Sequence, residues 1–244
     1  PGDGDAVGSN NWTVSPRRTA AGHALLSGDP HLQLTLPSVW YEIHLNAPGG
    51  LDAAGVTFAG APGIIIGFNR EVAWSVTNTG ADVRDHYAET VDNDTSPAQY
   101  KLDGEWKPLE VRIDSVRGPR GVLLAIDTLR FTHRGPLVRN GSAWLSVRWT
   151  PFEARSGEEF LRLDRATAVG GWLSAWESYV APAQNGVVAD RAGAIAIRST
   201  GRFPVRPGDG RGDEIRDGSV SASDWTGYVP VGSYPFSLNP KQGF

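Results

Sequence analysis

The 244 residues carry 23 Lys and Arg against 27 Asp and Glu, a formal net charge of −4, with 40% hydrophobic residues, no cysteine and no methionine. No dense basic run is present to neutralise a phosphate backbone, so a broad nucleic-acid footprint is excluded, and the missing cysteine removes disulfides, thiolate nucleophiles and Cys-based zinc sites. No apolar run reaches the ~20 residues of a membrane-spanning helix and no signal-peptide pattern opens the chain, so no membrane partner is indicated, and a chain without methionine at residue 1 is expected to be part of a longer product.

Thirty glycines and seventeen prolines are spread along the chain, the distribution of many turns between short strands, and one large domain is expected. "PGDGDAVG" (1–8) is polar and Gly-rich and reads as the end of a linker, with ordered structure expected from Asn10 or Asn11. Gly8 lacks a Cβ, so its backbone is permissive and its carbonyl open to approach. The Gly8–Ser9 step therefore reads in two ways, as a cut site or as a linker serine capping the first ordered residue.

"WYEIHLNA" (40–47) alternates Tyr41, Ile43 and Leu45 with Glu42, His44 and Asn46, which predicts a half-buried strand. "PGIIIGFN" (62–69) is a short apolar run between glycines and predicts a strand buried on both faces. Further strands are predicted at "EVAWSVTN", "DHYAETVD", "LEVRIDSV", "GVLLAIDTLRFTH", "AWLSVRWT", "GVVADR" and "GAIAIRST". Helices are predicted over "GEEFLRLDRA" (157–166) and "GWLSAWESYV" (171–180), the second with Trp172, Trp176 and Tyr179 about one turn apart and able to cover a sheet. Beyond Thr200, "GRFPVRPGDGRGDE" and "DWTGYVPVGSYPF" read as ordered loops with aromatic anchors.

The five histidines, His23, His31, His44, His86 and His133, form no H-E-x-x-H helix, and no G-x-S-x-G elbow selects a serine. Ser9 differs because a break before it would place a hydroxyl and a free α-amine on one residue. That amine titrates near roughly 7.7–8.0 and is able to act as the serine's own base.

Several ordered stretches then resemble one family. "GSNNWTVSPRRTAAGHALLSGDPHL", "FAGAPGIIIGFNREVAWSVTNTGADVRDHYAE", "THRGPL", "RSTGRFPVR" and the late "NP" resemble the start of the β chain of the penicillin acylase family of N-terminal nucleophile hydrolases. The resemblance implies an α+β fold, a four-layer αββα sandwich of antiparallel sheets that is incomplete here, with 1–8 the end of a spacer and 9–244 the first part of the catalytic β chain. It implies self-cleavage between Gly8 and Ser9, then hydrolysis of a linear N-acyl amide by Ser9 through an acyl-enzyme.

Under the same resemblance His31 orients the nucleophile, Asn78 lends its backbone N–H to the oxyanion, and a second oxyanion donor, an asparagine, is expected beyond Phe244. Leu32, Trp40 and Phe58 match acyl-pocket positions, although ordinary core packing explains such residues equally well. A structural calcium ion is implied, held by the Asp82 and Asp85 carboxylates and the Arg84 and Pro204 carbonyls, against an Asp-rich turn with surface ion pairs. The resemblance calls for no organic cofactor. It implies an upstream α chain from the same precursor, and a periplasmic or secreted location. Acyl-homoserine lactones and β-lactam side chains are both substrate options within the family. A processing-incompetent binding or structural homologue would leave Gly8–Ser9 intact, and an adhesion module using "RGD" (Arg211–Asp213) would show integrin-type binding abolished by Asp213→Glu.

Overall fold

The structure, a computed structural model, describes residues 8–154, 157–208 and 210–244. Residues 1–7 of the expected spacer and Asp209 of the late loop lie outside the described residues. Two compact units divide the chain. The first takes Pro1–Ala81, Ala154–Arg202 and Pro230–Phe244, and the second takes Asp82–Glu153 and Phe203–Val229.

In the first unit a seven-stranded antiparallel sheet runs in the order Phe236–Leu238, Ile195–Thr200, Gln184–Asp190, Val72–Asn78, Ile66–Asn69, Leu51–Phe58, Trp40–Ala47. Strand periodicity divides Val72–Asn78 between two faces. Val72, Trp74 and Val76 join a core with Trp172 and Trp176, whereas Ser75 faces Gly28 of a separate two-stranded ribbon, Ser9–Val14 with Leu25–Pro30. The sheet thus has helices on one side and the ribbon on the other.

Two helices, Glu158–Asp164 and Val169–Trp176, form the outer layer. The second begins two residues before the predicted Gly171, because Asp190 at the end of a sheet strand supplies the carboxylate that accepts the Val169 N–H at 3.1 Å. An acidic group there satisfies an orphan amide and complements the helix dipole. Trp172 and Trp176 are fully buried and stack at 5.1 Å, and Trp176 stacks on Tyr179 at 4.7 Å. Each such ring removes some 150–250 Å² from water, an upper bound of about 4–6 kcal/mol per side chain. Gly186 makes this approach feasible, since a Cβ there would lie 2.6 Å from both Trp172 Cη2 and Trp176 Nε1.

The predicted strand over 62–69 is shorter than expected. Ile64 and Ile65 are buried but precede the sheet, and only Ile66–Asn69 pairs. Gly63 turns the chain there at φ +81°, and a Cβ on it would lie 2.7 Å from Asp164 Oδ2. The Ile64 N–H donates to both Asp164 oxygens at 3.2 and 3.0 Å, and Asn69 Nδ2 donates to the Asp164 and Ala166 carbonyls at 2.9 and 2.8 Å. These bonds tie the first helix to the sheet.

The second unit holds a six-stranded sheet in the order Glu110–Arg117, Leu123–Thr132, Gly135–Asn140, Ala143–Trp149, Arg84–Glu89, Ile215–Asp217. All pairs are antiparallel except the last, which is parallel. In the turn between Leu123–Thr132 and Gly135–Asn140, the buried Arg134 guanidinium bonds Glu89 Oε1 at 2.9 Å, Asp224 Oδ1 at 2.6 Å and the Gly218 carbonyl at 2.8 Å. A buried charge needs such a full set of partners.

Candidate active site

Ser9 opens the ribbon strand and lies opposite Pro30, so ordered structure starts a residue before the expected Asn10. The ribbon is seated closely on the sheet: a Cβ on Gly28 would fall 2.1 Å from Ser75 Oγ. Asn11 Nδ2 reaches across to donate to the Ser75 carbonyl at 3.3 Å and the Asn185 carbonyl at 3.2 Å, bridging the two central strands.

His31 follows directly after the second ribbon strand. Its backbone N–H donates to the Gly8 carbonyl oxygen at 3.0 Å and lies 3.3 Å from Ser9 Oγ. One donor is therefore shared between the carbonyl of the Gly8–Ser9 bond and the hydroxyl next to it. The ring turns elsewhere, with Nε2 2.9 Å from Asp29 Oδ2 and both side chains largely in solvent. The His31 group that reaches Ser9 is its backbone N–H.

Asn78 ends the central strand opposite Gln184, and Gln184 Nε2 donates to Asn78 Oδ1 at 2.5 Å. Ser9, Asn78 and Gln184 supply polar lining to a cavity of about 290 Å³. The expected Leu32, Trp40 and Phe58 all line it, and Trp40 and Phe58, paired across neighbouring strands, stack at 4.5 Å. Sequence reasoning did not assign Ile65, Val76, Phe160, Trp176, Tyr179 and Gln184 to this cavity. The Trp172–Trp176–Tyr179 spacing was read as sheet cover; Trp176 and Tyr179 also wall the cavity. Burial pushes the Tyr179 hydroxyl well above its ordinary value, so it stays neutral.

The cavity therefore pairs an apolar interior with a hydroxyl and amides at its polar lining. That combination suits an apolar acyl group whose carbonyl is presented to Ser9. Among the described residues no group of three or more His, Cys, Asp or Glu is placed to hold a metal.

The expected calcium set lies in the second unit, and its donors do not fit a divalent cation. Asp82 and Asp85 close instead on Arg206, whose Nη2 lies 3.1 Å from Asp82 Oδ1 and 2.9 Å from Asp85 Oδ1. Calcium takes six to eight oxygens, whereas these carboxylates are already engaged by N–H donors. Pro204 lies in a short strand, Pro204–Val205, paired with Gly227–Tyr228, and Arg84 lies opposite Trp149. The "RGD" residues close on themselves, with Arg211 Nε 2.9 Å and Nη2 2.7 Å from the Asp213 carboxylate.

Comparison with known proteins places this chain in a family. The profile of the Penicillin amidase family matches residues 2–244. An acyl-homoserine lactone acylase, QuiP, of Pseudomonas fluorescens Pf0-1 is 35% identical over 97% of this chain and 29% of its own length. The penicillin acylase 2 proenzyme of Pseudomonas sp. SE83 is 30% identical over 99% of this chain and 31% of its own. The chain spans about three-tenths of the length of these relatives. A thermostable penicillin G acylase from Alcaligenes faecalis superimposes with a TM-score of 0.80 at 26% identity, covering 96% of this chain and 42% of that one. Its N-terminal nucleophile hydrolase fold is the expected fold class. With a profile match along nearly its whole length, the chain belongs to the penicillin amidase family.

Proposed function

We propose that the protein expressed from its complete gene is an amidohydrolase that uses Ser9, freed by scission of Gly8–Ser9, to hydrolyse N-acyl amides with an apolar acyl group. The observation that carries this reading is the His31 N–H held between the Gly8 carbonyl oxygen and Ser9 Oγ. A donor on that carbonyl polarises the carbon that a neighbouring hydroxyl would attack and stabilises the oxyanion that forms.

In the first step Ser9 Oγ adds to the Gly8 carbonyl carbon. The C–N bond breaks, the nitrogen takes the hydroxyl proton and becomes the Ser9 α-amine, and an ester links Gly8 to Oγ. Water then hydrolyses that ester and leaves the Gly8 carboxylate. In turnover the α-amine accepts the Oγ proton as oxygen adds to the substrate carbonyl, then passes it to the departing amine, so that an acyl-enzyme ester remains for water to cleave. The Asn78 backbone N–H is the proposed donor to the substrate oxyanion, with its side chain held by Gln184. The apolar walls around Trp40 and Phe58 take the acyl chain. An α chain from the same precursor and export to periplasm or medium complete the proposal, on the strength of family membership and of a relative named as a proenzyme.

The test is intact mass and N-terminal sequencing of the protein from its complete gene, beside Ser9→Ala. A chain beginning "SNNWTV", and acyl transfer to its serine from both N-acyl-homoserine lactones and phenylacetyl amides, are expected. Ser9→Ala should stay uncut and take up no acyl group. An unbroken Gly8–Ser9 bond in the wild type would instead leave the fold as a binding module.

A further inference from the structure

The cluster around Asp85 is a compact ionic unit, in which Arg216 Nε makes an ion contact but no hydrogen bond. Asp85 is fully buried, and its Oδ1 lies 2.9 Å from both Arg206 Nε and Nη2. Its Oδ2 takes Arg206 Nε at 2.9 Å and Trp225 Nε1 at 2.6 Å, with Arg216 Nε 3.2 Å away. Arg206 Nη2 also bonds the Asp82 backbone carbonyl at 3.0 Å as well as its carboxylate. Arg206 and Arg216 are themselves nearly buried. Two carboxylates thus face two guanidiniums and the charges cancel.

Each carboxylate oxygen offers about two acceptor positions, and both oxygens of Asp85 already face N–H groups of Arg206 and Trp225. A divalent cation placed among these oxygens would meet two positive charges at contact range. Gly212, the glycine of the "RGD" triplet, closes the cluster from outside: a Cβ there would fall 2.1 Å from Asp82 Oδ2 and 2.6 Å from Arg206 Nη2. That tripeptide packs on an ion pair, which gives its glycine a structural reason.

We propose that the Arg206 guanidinium, backed by Arg216, takes the place of the structural cation that the Asp82–Asp85 sequence suggests, so that this segment is organised without metal. A planar, always charged fork with several donors substitutes for a cation that would gather the same oxygens. The arrangement is independent of the reaction assigned to Ser9.

The test uses the protein from its complete gene, purified without added metal. Elemental analysis should find no stoichiometric calcium, and melting temperatures in excess calcium and excess chelator should coincide. Bound calcium at one per molecule, or a melting temperature lowered by chelator, overturns the proposal. Arg206→Ser leaves the Asp82 and Asp85 oxygens in place and strands a buried carboxylate, so a melting temperature lower by on the order of 10 °C is expected, partly restored by calcium. Melting of Arg206→Ser at the wild-type temperature overturns it equally; the wild-type measurements decide the matter if that variant does not fold.

Discussion

Replacing Asp164 by asparagine should remove a pH dependence of stability that the wild type carries. The carboxyl of Asp164 is fully buried, accepts only the Ile64 N–H among the described hydrogen bonds, and is raised by desolvation from 3.8 to about 7, the Ile64 bond opposing the shift. Because the folded state holds the proton more tightly, the carboxyl's contribution is full below about pH 4 and is lost as pH rises through about 7. The span from 3.8 to about 7 bounds the effect at about 4 kcal/mol, which partial solvent screening reduces to roughly 1–3 kcal/mol. An asparagine has no such proton to lose. Apparent melting temperatures of both proteins, taken at one scan rate from pH 4.5 to 8.5, should therefore diverge in favour of Asp164→Asn as pH rises. Parallel curves across that range would refute the assignment of a buried, proton-holding carboxyl behind Gly63 and Ile64.

Two further substitutions probe the ribbon and the sheet. His31→Pro removes the N–H shared by Gly8 and Ser9 and should leave the precursor uncut, whereas His31→Ala keeps that N–H and should be cut; equal processing of the two, read by mass, would show that the donor is not used. Gly186→Ala drives a Cβ to 2.6 Å from two tryptophan rings and should cost about 1–3 kcal/mol, seen as a lower melting temperature; an unchanged value would mean the helix layer shifts freely.

The strands that alternate or carry β-branched runs were legible from that pattern whatever their burial, for Val72–Asn78 is buried along most of its length whereas Glu110–Arg117 is exposed throughout. Leu51–Phe58 was not, since "LDAAGVTF" is rich in small residues that give no periodic contrast. Their reason is spatial: at Gly55 a Cβ would fall 2.2 Å from the Ile66 carbonyl on the neighbouring strand. The placement of His31 beside Ser9 was implied by the family resemblance alone, and the ribbon brings the two together across 22 residues. The Asp82–Asp85 pair was visible as a local pattern, but the arginine that fills it lies 121 residues from Asp85, and no local reading connects them. The same holds for Phe160 and Trp176, whose periodicity reports burial without saying that the buried face borders a cavity.

Chain ends ordinarily fray, and a nucleophile carried on one would wander. Asn11 limits that here. It clamps the ribbon to two strand carbonyls only two residues inside the proposed new end, leaving Ser9 and Asn10 as a tether of about 7 Å. Such a short tether also fixes which face the hydroxyl occupies. One extra residue left before Ser9 would put a different group at the terminus and carry the amine a strand step away from the hydroxyl. The clamp therefore makes accuracy of scission, to the single bond, a requirement for an active end.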